Sequence, residues 1–334
     1  MRVLVTGGAG FIGSHLSEAL VKRGDDVWIL DDLSTGRLSN VASLQDSPRC
    51  HLVIDSILNR DLVHELVEKV DVVYHLAAAV GVKYIVDNPL RSLITNVQGT
   101  EIVLAAVAEH QKKTVLFSTS EVYGRGNGHP LKETDDRIMG PTAISRWGYA
   151  TSKALDEFLA FAYHREMDLP VVIVRCFNTC GPRQSGEYGM VIPRFITQAL
   201  KGEPILVYGD GKQSRCFSSV GDVVRGVLML ADSPRAVGQV FNVGSDEEIT
   251  VLGLAQKILE ITGSSSPVTM VPYVDAFPTG FEDMRRRVPN LSRIGETVGY
   301  TPEMSLENLL RLTVEHIRSE MTAPAATSLA AAKV

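Results

Sequence analysis

The sequence predicts an α/β fold, a doubly wound parallel sheet with a smaller, interleaved C-terminal α/β domain. Three features point there. The chain opens on an apolar run, Val3-Leu4-Val5, that breaks into a glycine-rich turn and then a helical pattern through Leu16, Leu20 and Val21. Strand and helix signals then alternate to about Val174, the order that lays helices on both faces of a parallel sheet. After Pro182 the rhythm loosens, as expected of a part seated over the carboxyl ends of the strands, where ligands of such sheets bind.

The opening turn carries G-x-x-G-x-x-G at Gly7, Gly10 and Gly13, with Phe11 and Ile12 inside it. The first glycine permits a tight turn, the second a close approach of backbone N–H groups to a pyrophosphate, and the third close packing of helix on strand. The new helix aims its unsatisfied N–H groups and positive dipole end at that anion. Glycines alone are a weak signal in a chain with 28 of them. Their context is stronger: the helix ends near Gly24, a second strand Val27-Trp28-Ile29-Leu30 follows, and Asp31 stands at its end. An acid there binds the adenosine ribose, which makes the sheet Rossmann-type and the expected cofactor NAD. A carboxylate would repel the 2′-phosphate of NADP. Arg37, which would favour that phosphate, reads as a solvated loop residue.

Composition narrows the partners. The 334 residues carry a formal charge of −6 with mixed signs and no basic block, so neither nucleic acid nor anionic membrane is an expected partner. No apolar stretch approaches the roughly 20 residues of a membrane span. Met1 leads straight into the first strand, leaving no room for a signal peptide, so a cytoplasmic protein is expected. Cys50, Cys176, Cys180 and Cys216 lack zinc spacing and read as reduced core thiols. No metal is assigned.

Strands are expected at 2–6, 26–30, 51–54, 71–75, 114–118 and 170–175, and helices at 11–23, 59–69, 90–110 and 147–167. The last two helices carry apolar faces (Val97, Ile102, Val103, Ala106; Ala154, Phe158, Phe161) wide enough to cover the sheet on one side and a second subunit on the other. Beyond Pro182, helices are expected at 191–201, 222–232, 250–262 and 305–320. Short strands are expected at 205–208, 216–219, 239–243 and 268–271, with a loop around Pro278 and Gly280. The expected boundary is interleaved. Residues 1–180 form the cofactor domain, with 215–245 returning to it; 181–214 and 246–320 form the substrate domain; 321–334 form a disordered tail.

Tyr149 and Lys153 lie four apart, hence on one helix face. Such pairs occur on many helix surfaces; position distinguishes this one. It lies downstream of Ser118-Thr119-Ser120-Glu121-Val122-Tyr123-Gly124, which ends a strand at the carboxyl edge of the sheet. If the two segments meet over a nicotinamide, they form an acid–base relay. Tyrosine has a reference pKa of about 10, and a close Lys⁺ together with the oxidised nicotinamide would stabilise its phenolate. Thr119 would hydrogen-bond the same sugar hydroxyl, which loses hydride from its carbon once deprotonated.

These residues together resemble the extended short-chain dehydrogenases/reductases, in the nucleotide-sugar epimerase/dehydratase/decarboxylase superfamily. The resemblance runs from residue 1 to about 320. It rests on Thr6 to Gly13, His75-Leu76-Ala77-Ala78, Asn96, Ser118 to Gly124, Tyr149 with Lys153, and Arg175-Cys176-Phe177-Asn178-Thr179-Cys180-Gly181-Pro182-Arg183. It implies that Asp55 and Ser56 reach the adenine edge, that Leu76, Ala77, Ala78 and Asn96 line the cofactor, and that Asn178 touches the sugar diphosphate. It also implies that Arg215 and Arg287 clamp a diphosphate or uridine ribose, and that the protein is a homodimer.

Members of this superfamily begin by oxidising C4 of a nucleotide-linked sugar. Thr119-Ser120-Glu121 resembles UDP-glucuronate decarboxylases and GDP-mannose dehydratases. Gly280-Phe281-Glu282-Asp283-Met284 with Arg287-Val288-Pro289 looks more like bacterial UDP-sugar 4-epimerases. Arg183, Arg194 and Ser120 are candidates to hold a C6 carboxylate. The resulting expectation is a UDP-sugar 4-epimerase, UDP-glucuronate ahead of UDP-glucose, with Thr119, Ser120, Glu121, Tyr149 and Lys153 catalytic. The alternative is a UDP-glucuronate decarboxylase. A 4,6-dehydratase and a non-catalytic NAD-binding protein stand further back.

Overall fold

The computed structural model describes residues 1–81, 85, 87–126, 128–144, 146–186, 190–276 and 284–322, with the side chain of Arg146 left aside. The stretch from Gly280 to Asp283 and the tail beyond Thr322 lie outside the described residues.

Six strands follow the expected order: β1 (Arg2–Thr6), β2 (Asp26–Asp31), β3 (Cys50–Ile54), β4 (Val72–His75), β5 (Lys113–Thr119) and β6 (Val171–Cys176). Then come β7 (Thr179–Cys180), β8 (Ile205–Tyr208), β9 (Ser214–Cys216), β10 (Ser218–Ser219), β11 (Gln239–Val243), β12 (Glu248–Thr250), β13 (Val268–Val271) and β14 (Arg286–Arg287). Seven of these form one parallel sheet in the order β3-β2-β1-β4-β5-β6-β11. The switch in direction falls between β1 and β4. Strand β11 pairs with β6 at the far edge, so residues late in the chain complete the large sheet.

Alternation within each strand shows why the runs are apolar throughout. Val3 and Val5 of β1, with Val115 and Phe117 of β5, face a core closed by α1 (Phe11–Arg23) and a later helix through Leu16, Leu20, Val223 and Leu230. Leu4 and Leu116 face the opposite core, closed by α2 (Arg60–Lys69), α3 (Pro89–Glu109) and α4 (Arg146–Met167). A sheet buried on both faces leaves no polar side to its strands.

The remaining helices are α5 (Val191–Lys201), α6 (Val220–Asp232), α7 (Val251–Thr262), α8 (Tyr273–Ala276), α9 (Ser292–Val298) and α10 (Leu306–Thr322). Helix α6 is the late helix of the first core. Phe195 and Ile196 of α5, Leu254 and Ile258 of α7, and Leu309 and Leu310 of α10 form a third core with Ile205 and Val207 of β8. The short elements α8, α9, β7, β12 and β14 were not expected; each is too brief to carry a readable period. The expected strand at 216–219 divides into β9 and β10. No helix among the described residues is long and apolar enough to cross a membrane.

A polar knot ties α4 to the sheet. Glu157 takes Nε and Nη2 of Arg175 at 3.0 and 2.7 Å, and its Oε1 also accepts from Ser118 Oγ at 2.5 Å. Arg175 donates onward to the Glu133 carbonyl and lies 4.8 Å over the Tyr123 ring. Both charged side chains are buried. Removing one partner of such a pair leaves an uncompensated charge, which costs about 3–5 kcal/mol. Glu157→Ala should therefore lose about that much stability in urea unfolding, and a loss near zero would contradict the role of this pair.

Candidate functional site

The carboxyl ends of β1, β2, β4, β5 and β6 open into a cleft of about 920 Å³, bounded on its outer side by residues from α5, β8, β9 and β14. Its size is at the upper end for small-molecule sites.

At one end is the glycine turn. Gly7 has φ 73°, and a Cβ there would sit 2.8 Å from Ala77 N; a Cβ on Gly13 would sit 2.1 Å from Gly7 O. These positions tolerate no side chain. Gly10 caps α1 without a side-chain bond and no acid occupies the first turn, so the helix's leading N–H groups are left for an anion. Asp31 ends β2, buried, with Oδ2 accepting from Ala9 N and Oδ1 from Leu33 N, both at 2.9 Å. Burial raises its pKa against the pull of those N–H groups. A Cβ on Gly36 would meet Asp31 Oδ1 at 2.6 Å, so the loop presses on the carboxylate. Asp55 and Ser56 follow β3 and line the same end with Phe11, Ile12 and Leu76. Arg37 is exposed at the rim. These residues fit a dinucleotide.

Asn96 is placed differently from expectation. It is buried, taking Ala79 N on Oδ1 at 2.7 Å and reaching Ser152 Oγ at 3.4 Å. It props the loop after β4 against α4, while Leu76, Ala77 and Ala78 form the wall of the cleft.

At the centre, the carboxyl end of β5 and the first turns of α4 converge. Thr119, Ser120, Glu121, Tyr149 and Lys153 all line the cleft, and Thr119 hydrogen-bonds the Tyr149 phenol. Thr119 Oγ1 also caps a 3-10 turn, Ser120–Tyr123, by accepting from Glu121 N at 3.2 Å. Among the chain's own groups, burial first, then Glu121 and Asp156, push the phenol pKa up. Lys153 Nζ is 2.7 Å from Asp156 Oδ2, both side chains being buried.

At the outer end, Arg287 of β14 donates to Glu121 Oε1 and to Asn178 Oδ1. Asn178 in turn donates to the Cys216 carbonyl at 2.8 Å, locking the end of β6 to β9. Arg215 is buried beside them and donates to the Ser214 carbonyl at 2.7 Å. Arg194 lies 4.1 Å over the Tyr208 ring, and burial lowers its pKa. Arg183 is drawn elsewhere. With φ 70°, it pairs with Glu18 Oε1 at 2.7 Å and Ser14 Oγ at 3.2 Å on α1, and its N–H donates to His316 Nε2. Its guanidinium is committed to α1, which removes it from the set expected to hold a carboxylate.

Two features escaped the sequence reading. Asp156, three residues after Lys153, carried a signal, since that spacing shares a helix face. The meeting of Arg287 with Glu121 carried none, because 166 positions separate them. One further group of possible ligands, His64 with Glu109 and His110, gathers at the amino end of the sheet, away from the cleft; His64 Nδ1 is 3.2 Å from Glu109.

With this geometry in hand, comparison with known proteins is specific. The family profile for GDP-mannose 4,6 dehydratase matches residues 4–313. A UDP-N-acetyl-alpha-D-glucosaminuronate decarboxylase of Bacillus cytotoxicus is 43% identical over 318 residues, covering 95% of this chain and 98% of that protein. UDP-glucuronic acid decarboxylase 1 of Arabidopsis thaliana is 36% identical, covering 96% of this chain and 71% of that one. The crystal structure of UDP-glucuronic acid 4-epimerase from Bacillus cereus, in complex with UDP-glucuronic acid and NAD, superposes with a TM-score of 0.87 at 30% identity, covering 96% and 100% of the two chains. A glycine turn, a Tyr/Lys helix and an arginine-lined outer wall thus sit on the same framework from end to end, and the chain belongs to the GDP-mannose 4,6 dehydratase family of nucleotide-sugar short-chain dehydrogenases/reductases.

Proposed function

We propose that the protein is an NAD-dependent decarboxylase of a UDP-linked hexuronate, with Tyr149 as acid and base at C4. The observation that carries this reading is that relatives 43% and 36% identical over 95% and 96% of the chain act as decarboxylases by name. The substrate class is the one they share, a glucuronate skeleton carrying a hydroxyl or an acetamido group at C2. We propose further that residues 181–214 and 246–320 carry the nucleotide-sugar.

NAD is the cofactor of the site; held by the glycine turn and Asp31, it would supply reversible hydride transfer at C4. Thr119 and Tyr149 hold the C4 oxygen between them, and the phenol oxygen receives its proton. A ketone at C4 turns the C6 carboxylate into a β-keto acid. The C5–C6 bond then breaks, its electrons pass to the C4 oxygen, and CO₂ leaves. C5 takes up one proton, so each CO₂ released consumes one proton. Donation from the phenol stabilises the charge that develops on the C4 oxygen. Glu121, Arg287 and Asn178 border the sugar end and are bonded to one another. A wall so tied favours a ring kept in one pose.

The epimerase expected from the sequence is the second reading, favoured by the superposition on a UDP-glucuronic acid 4-epimerase. It requires the 4-keto ring to turn over within the site, which the Glu121–Arg287–Asn178 wall works against.

The exposed apolar residues Leu90 and Leu93 of α3, with Leu155 and Phe158 of α4, lie on helices packed side by side. We propose that a second copy covers them.

Incubation with UDP-glucuronate, and separately with its 2-acetamido analogue, should release CO₂ and give a UDP-pentose proton NMR spectrum for at least one of them. UDP-galacturonate without CO₂ would establish the epimerase instead. Tyr149→Phe should lower turnover at least about 100-fold while NAD binding stays close to wild type. Glu121→Gln should depress CO₂ release by about tenfold or more; an unaltered rate would remove Glu121 from the chemistry. Light scattering should give a dimer mass for the protein and a monomer mass for Phe158→Glu.

A further inference from the structure

Behind the phenol lies a charge that the reaction just described does not use. Asp156 is fully buried one turn beyond Lys153 on α4, with Oδ2 2.7 Å from the ammonium, and Lys153 is 2% exposed. Its Oδ1 has no hydrogen-bond partner among the described residues. Thr100 of α3 faces the carboxylate, and Thr100 Oγ1 lies 3.0 Å from His75 Nε2. His75 Nδ1 is 2.7 Å from Thr6 Oγ1, which accepts from Ala77 N beside the glycine turn. Burial pushes the His75 pKa down to about 3, so the imidazole is neutral. The layer under the cleft therefore anchors Lys153 and Asp156 to the same framework that seats the cofactor.

Stability is weak grounds for keeping this pair. A buried ion pair can often be replaced by neutral groups of similar volume without loss. Its effect on Tyr149 is a better account. An ammonium one turn from a phenol favours the phenolate, but a carboxylate in contact with that ammonium largely cancels its field.

We propose that Asp156 is a positioning residue that holds Lys153 and offsets its charge, and so restrains the Tyr149 phenol from becoming a base. The proposal rests on the role given to Tyr149 above, but not on the sugar or on the fate of its carboxylate. Tyr149 is faced by Glu121 from the turn after β5, by Cys176 at the end of β6, by Thr119, and by Lys153 and Asp156 from its own helix. Lys153 is faced by Asp156, His75 and Cys176, and Asp156 by Lys153, Glu157 and Thr100. Burial first, then the negative charges of Glu121 and Asp156, favour the protonated phenol.

The test is a titration of residue 149 that needs no turnover. Phenolate ultraviolet absorbance is followed against pH in NAD-saturated protein, and the same curve for the matching Tyr149→Phe variant is subtracted. Removing the carboxylate charge stabilises the phenolate, so Asp156→Asn should move the midpoint down by about one pH unit. Lys153→Met should move it up by a similar amount. The neutral double variant Lys153→Met/Asp156→Asn should titrate near wild type, and Asp156→Glu should also restore the wild-type curve. An unmoved midpoint in Asp156→Asn, or a double variant that titrates with Lys153→Met, would overturn the proposal. If Asp156→Asn does not fold, the lysine and double variants decide. Failure to release CO₂ from a hexuronate would leave this titration interpretable, so the two readings fail separately.

Discussion

The cleft depends on the rule that a charge taken out of water must find its partner inside the protein. Helix α4 carries two adjacent acids, Asp156 and Glu157, and both are buried. Glu157 answers Arg175 on β6, which fixes the helix to the sheet. Asp156 answers Lys153, which fixes the ammonium one turn from Tyr149 on the same helix. Neighbouring residues of one helix point about 100° apart, so one turn of α4 serves the scaffold with one acid and the chemistry with the other. The placement of Tyr149 follows from both.

Topology then gives the cleft two ends. Parallel strands bring all their carboxyl ends to one edge, and the switch in strand order beside β1 opens the crevice there. The first half of the sheet supplies the glycine turn and Asp31. The second half supplies Thr119 and, through the loop after β6, Asn178. Arg215 and Arg287 reach the same cleft because β9 and β14 pair side by side in a small sheet of their own. The outer wall is thus assembled from segments that share no local signal.

That division explains what could be read from the sequence. The large sheet was legible because its inner strands are buried on both faces and read as apolar runs, only the edge strand β3 being half-exposed, while α5 carries a clear helical period. Tyr149, Lys153 and Thr119 were legible through spacing on one helix and position at a strand end. Asn96 was assigned to the cofactor on resemblance, whereas its amide is consumed by Ala79 and Ser152. Arg183 was counted among groups free to bind a carboxylate; nothing local to it announces that Glu18, 165 positions earlier, would claim it. The phenol's ionisation was reasoned from Lys153 and the oxidised nicotinamide, and the neighbour left out, Asp156, was three residues from that lysine. Pairings over long sequence distances are set by packing, and packing is what a linear reading sees least.

Arg183 also links parts of the chain that lie far apart in sequence. Its guanidinium grips Glu18 and Ser14 on the helix that begins at the glycine turn, and its amide donates to His316 on α10. The ion pair is partly open to solvent, with 23% and 29% of the two side chains exposed. Any hinge that widens the cleft near this point must stretch that clasp. Dissolved salt screens partly exposed charges, so the ease of opening is tied to the ionic strength of the medium, far from the atoms that react.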